Sequence, residues 1–152
     1  MREMKKITGL LMAMLLMLSA CGSVPLTGRK QVLLVSDQEV LSSSLTQYSD
    51  YMKSATKSSD KNESAMVTRV GKKIAAATEA YLKANGMESE IKNFQWEFNL
   101  VKDNQINAFC MPGGKIVVYE GLMSLVSSDD ELAVVVGHEV AHAVAKHSNE
   151  RM

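Results

Sequence analysis

The sequence lacks an excess of charge of either sign, is poor in aromatic residues and contains only two cysteines. Its 17 basic residues are balanced by 17 acidic ones, which gives no indication of nucleic-acid binding, because that function requires a basic surface. No internal repeat and no second long apolar run follow the N-terminal segment. At 152 residues the chain has room for one modest domain.

The apolar run that is present covers residues 7–18 and follows three basic residues among the first six. A basic segment followed by about a dozen apolar residues is typical of an export signal, and the run is shorter than the ~18–20 residues of a membrane-spanning helix. Residues 18–22, Leu-Ser-Ala-Cys-Gly, resemble the lipobox of bacterial lipoproteins. The resemblance implies a lipoprotein signal peptide over residues 1–20 and a lipid anchor on Cys21. The alternative is an ordinary cleavable signal followed by an incidental cysteine.

A lipid anchor at Cys21 predicts a location in the bacterial cell envelope, facing the periplasm. Gly22, where an aspartate would favour the inner membrane, indicates the outer membrane by analogy with enteric sorting. With Cys21 modified, Cys110 has no partner for an intrachain disulfide. We predict that Cys110 is a small buried hydrophobic residue, with a redox switch or a metal ligand as alternatives.

Three helices are predicted from capping residues and apolar spacing. Residues 36–39 have the S-x-x-E form of a capping box, which predicts a helix from Asp37 towards Met52. A second helix is predicted over residues 63–84, because its apolar residues recur at intervals of three and four. Asn85-Gly86 is a typical left-handed end for that helix. Another S-x-x-E box at residues 128–131 begins the third helix.

Two strands are predicted between the second and third helices. Apolar and polar residues alternate over residues 94–100, and residues 115–119 are rich in β-branched side chains. Pro112-Gly113-Gly114 breaks the chain before the second strand, and residues 120–126 predict a short helix. The order favours an α+β fold with helices on a small antiparallel or mixed sheet. A parallel β-α-β arrangement fits poorly, because the two clear strands are consecutive.

The most informative motif is His138-Glu139-Val140-Ala141-His142. Positions i and i+4 of a helix share a face, so two imidazoles can bind one metal ion, with Glu139 near a water that the metal polarises. The surrounding run, residues 132–145, is almost wholly apolar and predicts a buried helix, in which a metal would compensate the polar groups. The alternative is that each histidine caps a backbone group and that Glu139 pairs with a lysine.

The third metal ligand is not evident from the residues. The metzincin pattern H-E-x-x-H-x-x-G-x-x-H needs glycine and histidine where this chain has Ala145 and Ser148. On a continuous helix His147 lies about 140° around from His142, which predicts a surface or second-layer residue. Glu150 would lie about 12 Å further along the helix.

Residues 107–122 resemble the N-A-F-x-x-P-G-G-x-I-x-x-x-x-G-L signature of HtpX-like gluzincins, a peptidase family that also includes CAAX prenyl proteases and bacterial periplasmic lipoproteins. Residues 131–133 and 137–142 match the active-site helix of that family, and residues 147–152 resemble the stretch after it. The lipobox and residues 24–29 fit the lipoprotein branch.

This resemblance implies a zincin-like fold, Zn²⁺ bound by His138 and His142, and Glu139 as the catalytic base. It implies that the strand at residues 115–119 borders the cleft, where an extended peptide can add to it. The third ligand of the family is a glutamate on a later helix, so we expect it beyond Met152 and expect this chain to be an N-terminal fragment, inactive by itself. Residues 21–61 would then be a tether and N-terminal helix, and residues 62–152 the first part of the metallopeptidase domain.

The leading hypothesis is a zinc-dependent metalloendopeptidase that hydrolyses peptide bonds of envelope proteins, with a role in protein quality control. Its partners would be a peptide or unfolded protein and, through Cys21, the membrane. The second hypothesis is a non-catalytic peptide-binding or chaperone-like lipoprotein with an incomplete metal site. The third is a structural lipoprotein whose motif is accidental.

Overall fold

A computed structural model describes residues 36–147 in full and the backbone of residues 21–23 and 30–32. The predicted signal peptide and Glu150 lie outside the described residues. The elements in chain order are β1 (Cys21–Ser23), β2 (Lys30–Val32), α1 (Asp37–Ser54), α2 (Lys61–Ala84), α3 (Glu88–Ile91), β3 (Glu97–Val101), β4 (Ala108–Met111), β5 (Lys115–Tyr119), α4 (Glu120–Met123) and α5 (Asp129–Val144). β1 and β2 pair in antiparallel fashion.

The α+β prediction is confirmed, with helices packed on a small mixed sheet. Its three strands lie in the order β3-β5-β4, and β5 is parallel to β3 and antiparallel to β4. No helix lies between β3 and β5, so the prediction that a β-α-β arrangement fits poorly is confirmed, although these two strands pair in parallel with β4 between them in the chain. β4 was not predicted, since four residues, Ala-Phe-Cys-Met, show no clear alternation of apolar and polar side chains.

The helix boundaries follow the capping residues. Ser36 forms a capping box with Glu39 at the start of α1, as predicted. α2 begins two residues earlier than predicted, because the side chain of Asp60 accepts hydrogen bonds from the backbone of residues 62 and 63. The alternating segment is a strand only from Glu97 onward, and α4 is a single turn.

The sheet separates two apolar layers, and alternate residues of each strand face opposite layers. Val117 and Tyr119 pack with Tyr48 of α1 on one face, whereas Ile116 and Val118 pack against α2 and α5 on the other. The buried residues that α2 and α5 contribute to this second layer are Val67, Val70, Leu82, Leu132, Val136, Val140 and Val144. α5 is therefore held on the sheet by its apolar side.

A buried lysine ties α1 to the sheet. Lys115, 4% exposed, donates to the carbonyl of Gln95 at 2.6 Å and to the carboxylate of Glu97 at 2.6 Å. The other carboxylate oxygen of Glu97 accepts from the hydroxyl of Tyr48 at 2.9 Å. The hydrogen bond from Lys115 lowers the pKa of Glu97, so the carboxylate stays ionised and the buried ammonium of Lys115 stays paired.

Over the ranges that the structure describes, none of the helices has the length and apolarity required to cross a membrane.

Candidate metal centre

The position of α5 is set by its first turn and by one apolar stripe. Ser128 caps the helix by accepting from the backbone N–H of Glu131 at 3.2 Å. Arg69 of α2 donates to both carboxylate oxygens of Asp129, at 2.7 and 2.6 Å. Because the buried stripe faces the sheet, the motif residues between its positions project from other sides of the helix.

The prediction that α5 is apolar and buried on all sides is wrong. Val134 is 75% exposed, His138 is exposed, and Glu139 and His142 are half-buried. The tertiary contacts cover only one side of the helix, so His138 is not buried and needs no metal to offset a cost of burial. The argument for a metal depends instead on the geometry of the two imidazoles.

His138 and His142 face each other through their Nε2 atoms, which are 2.9 Å apart. Their ring centroids are 4.4 Å apart and the rings are nearly perpendicular, at 83°. Two nitrogens bound to one tetrahedral zinc at 2.0–2.1 Å are about 3.3 Å apart, so a small rotation of either ring brings both into ligand distance. The pair therefore fits a divalent metal bound by imidazole nitrogen.

Within residues 36–147, no group of three histidine, cysteine, aspartate or glutamate side chains converges in a way that could hold a metal ion. His138 and His142 are therefore two candidate ligands in the described part of the chain, and their role stays a prediction. The position of the third ligand stays a prediction.

Glu139 lies on the side of α5 that approaches β4. Burial, with a smaller contribution from the charge of Glu139, raises the pKa of Cys110 to about 12. Cys110 is half-buried and packs against the core, close to the predicted role of a small hydrophobic residue. The thiol of Cys110 is therefore protonated at neutral pH and close enough to Glu139 to be affected by its charge.

The strand that borders the site is β4, and the prediction that Lys115–Tyr119 borders the cleft is wrong. β5 is the central strand, with a partner on each side. The outer edge of β3 is covered by the segment before α2, where Ser58 donates to the carbonyl of Leu100 at 2.9 Å. β4 packs against α5, and among the described strands it has a partner on one edge only.

His147 lies against His142, because the helix does not continue as far as assumed. α5 ends at Val144, and Lys146 has a left-handed backbone with φ 56°. This turn brings Nδ1 of His147 to 2.7 Å from Nδ1 of His142. The angular estimate for a continuous helix therefore does not apply, and His147 contacts the ring nitrogen of His142 that faces away from His138.

Lys146 itself was missed by sequence reasoning. Its ammonium lies 2.5 Å from Asp37 of α1 and 3.1 Å from Glu90 of α3. The carboxylate of Asp37 is 109 positions away in the chain, so no local pattern marks the contact.

The chain is similar to one peptidase family and to several known proteases. Residues 61–152 match the model of Peptidase family M48. The mitochondrial metalloendopeptidase OMA1 of Arabidopsis thaliana is 48% identical over 68 residues, 45% of this chain and 14% of that protein. The human mitochondrial metalloendopeptidase OMA1 is 29% identical over 130 residues, 84% of this chain and 24% of that protein. The β-barrel assembly-enhancing protease of Yersinia pestis is 38% identical over 52 residues, 34% of this chain and 11% of that protein.

The chain thus spans a quarter or less of the length of these relatives. Their names are those of OMA1 and β-barrel assembly-enhancing proteases, so the more specific resemblance to HtpX-like and CAAX prenyl proteases stays a prediction.

Proposed function

This chain belongs to peptidase family M48, the gluzincin metallopeptidases, and on that premise we propose that the protein is a zinc-dependent metalloendopeptidase acting on envelope proteins. The observation that carries the proposal is the 2.9 Å separation of the facing Nε2 atoms of His138 and His142. Peptidases of this family are zinc-dependent in general, and the two imidazoles have the spacing and softness that zinc prefers.

His138, His142 and Glu139 carry the proposed chemistry. His138 and His142 hold the metal, which when bound supplies a Lewis acid for the attacking water and the peptide carbonyl. Glu139 takes the proton of that water and returns it to the leaving amine. The uncharged thiol of Cys110 lies near Glu139 and introduces no second charge beside the base.

The proposed substrate is an extended segment of an unfolded protein. One edge of β4 has no partner among the described strands, and a peptide strand that pairs with this edge would run past His138 and Glu139. The outer edge of β3 is blocked by the segment that contains Ser58, so β4 is the better acceptor. The name of the Yersinia pestis relative, a β-barrel assembly-enhancing protease, supports a role in envelope protein quality control.

The first test is Glu139→Gln in the purified full-length protein. We expect the variant to retain zinc and to lose about 10²–10⁴-fold in the cleavage rate of an unfolded, fluorescently labelled casein. Asp130→Asn is the matched control, because it removes an exposed carboxylate from the same helix and should retain full activity. Cleavage by Glu139→Gln at the parental rate would exclude Glu139 as the base.

A second candidate function is a non-catalytic peptide-binding lipoprotein. Such a module would bind peptide at the same edge of β4, which has no partner among the described strands, and would need no metal. Zinc content measured in the purified protein separates the two functions, because a peptidase requires one tightly bound ion per chain and the binding module does not.

The proposed location is the bacterial cell envelope, with a lipid on Cys21 that anchors the protein on the periplasmic side, in the outer membrane. It is supported by the sequence of residues 18–22 alone. Cys21→Ser should move the protein from the detergent phase to the aqueous phase in a Triton X-114 partition. If the variant and the parent partition alike, the protein has no lipid anchor at this residue.

A further inference from the structure

Each of the two ring nitrogens of His142 faces another histidine. Nε2 faces His138 at 2.9 Å, and Nδ1 faces Nδ1 of His147 at 2.7 Å. We propose that His147 and Lys146 are positioning residues that fix the orientation of His142 for metal binding. The inference rests on the proposed metal site and assigns two further residues to it.

The hydrogen bond has one consistent direction when His142 serves as a ligand. A neutral histidine that binds a metal through Nε2 carries its proton on Nδ1 and donates it to a fixed acceptor nearby. Nδ1 of His147 is then the acceptor, and His147 carries its own proton on Nε2. His147 is not a third ligand in this arrangement, because it contacts the ring of His142 on the side opposite His138.

The end of α5 explains how His147 reaches His142. Ala145 caps the helix, Lys146 has the left-handed φ of 56°, and its N–H donates to the carbonyl of Ala143 at 3.2 Å. At helix ends of this type, the residue after the left-handed position contacts the third residue from the end of the helix. In α5 these two positions are His147 and His142.

A lysine at the left-handed position needs support, since glycine is the usual residue there. Among the described residues, Lys146 is the sole non-glycine residue with positive φ. Its side chain is 18% exposed and bridges the carboxylates of Asp37 and Glu90 at 2.5 and 3.1 Å. The two ion pairs anchor the turn to α1 and α3, and through the turn they hold His147 against the ring of His142.

The test uses the purified full-length protein and two readouts. The first is the zinc dissociation constant from chelator competition, and the second is the His142 tautomer in the metal-free protein from long-range ¹H–¹⁵N correlation spectra. His147→Leu should raise the dissociation constant 10–100-fold and reduce the population of the Nδ1–H tautomer. His147→Gln, which keeps a hydrogen-bond acceptor, should recover most of the zinc affinity and most of the Nδ1–H tautomer. If His147→Leu does not fold, His147→Ala is measured in its place.

The same readouts test Lys146. Lys146→Ala should raise the zinc dissociation constant at least several-fold, and Lys146→Arg, which keeps the charge, should restore it. Lys83→Ala is the matched control, because it removes an exposed lysine from the end of α2 and should leave both readouts at the parental values.

The outcomes distinguish this inference from the proposed function. If the parent binds zinc and His138→Ala abolishes binding, but His147→Leu matches the parent in affinity and tautomer, the positioning role is wrong and the metal site stands. If the parent does not bind zinc, or if His138→Ala binds zinc as tightly as the parent, the metal site and the positioning role are both wrong.

Discussion

α2 and α5 are both followed by a residue with a left-handed backbone, but the residue at that position differs. After α2, Gly86 has φ 72°, its N–H donates to the carbonyl of Lys83 at 3.2 Å, and the N–H of Met87 donates to that of Leu82 at 2.8 Å. Both bonds are those of a Schellman motif. Leu82 is fully buried, and Met87 packs against the core that contains it, so this turn seals the apolar layer.

After α5, the equivalent positions are Lys146 and His147. Lys146 takes the left-handed conformation, which costs a residue other than glycine roughly 1–2 kcal/mol. The apolar contact of the first turn is replaced by the contact between His147 and His142. The turn after α2 therefore has the residue types expected at a helix end and stabilises the core. The turn after α5 has a lysine where glycine is expected, and it lies at the candidate metal centre, where such departures from local preference are expected.

The largest stability effect is expected at the glycine end. A Cβ added to Gly86 has no atom within 4 Å, so Gly86→Ala tests the backbone conformation without a steric clash. We expect a loss of roughly 1–2 kcal/mol in the free energy of unfolding, measured by urea denaturation, with no change in zinc affinity. If Gly86→Ala has the same unfolding free energy as the parent, a side chain at this left-handed position costs nothing and the account of this turn is wrong.

The opposite pattern is expected at the lysine end. Lys146→Gly relieves the left-handed strain and removes two ion pairs, each of which contributes about 0.2–1 kcal/mol at partly exposed sites. These effects offset each other, so we expect the unfolding free energy to change by less than about 1 kcal/mol. Zinc affinity should nevertheless fall, since the turn loses its anchors. If Lys146→Gly binds zinc as tightly as the parent, neither turn affects the metal centre and the proposed difference between them is wrong.

The smallest effect is a pH dependence specific to the lysine end. Burial lowers the pKa of Lys146, but hydrogen bonds from its ammonium to Asp37 and Glu90 outweigh burial and hold the pKa above the ordinary 10.5. A raised lysine pKa gives stability that is fully present below the unfolded value and is lost as pH rises through the folded value. The difference in unfolding free energy between the parent and Lys146→Met should therefore be constant up to about pH 10 and shrink above it. A difference that shrinks at neutral pH would contradict the ion-pair assignment.

The same comparison shows what the sequence predicts and what it does not. The end of α2 was predictable, because Asn85-Gly86 is a local signal with a direct conformational cause. The starts of α1 and α5 were predictable for the same reason, through Ser36 and Ser128. His138 and His142 were predicted to share a face, and the structure brings them together.

Features that depend on distant contacts were not predictable. The turn at Lys146 is supported by Asp37, which is 109 positions away, and lysine has no local preference for a left-handed backbone. β4 was missed because pairing with β5, rather than its own pattern, makes it a strand. The exposed side of α5 was missed because its apolar sequence did not show which residues would be covered.

The most direct test of the central claim compares the two residues that follow the left-handed positions. Met87→Ala should lower the unfolding free energy by about 1–2 kcal/mol, because Met87 is half-buried, and leave the zinc dissociation constant unchanged. His147→Ala should raise the zinc dissociation constant at least about 10-fold and change the unfolding free energy by less than about 1 kcal/mol. If His147→Ala leaves the zinc dissociation constant at the parental value, the turn after α5 has no role in the metal centre.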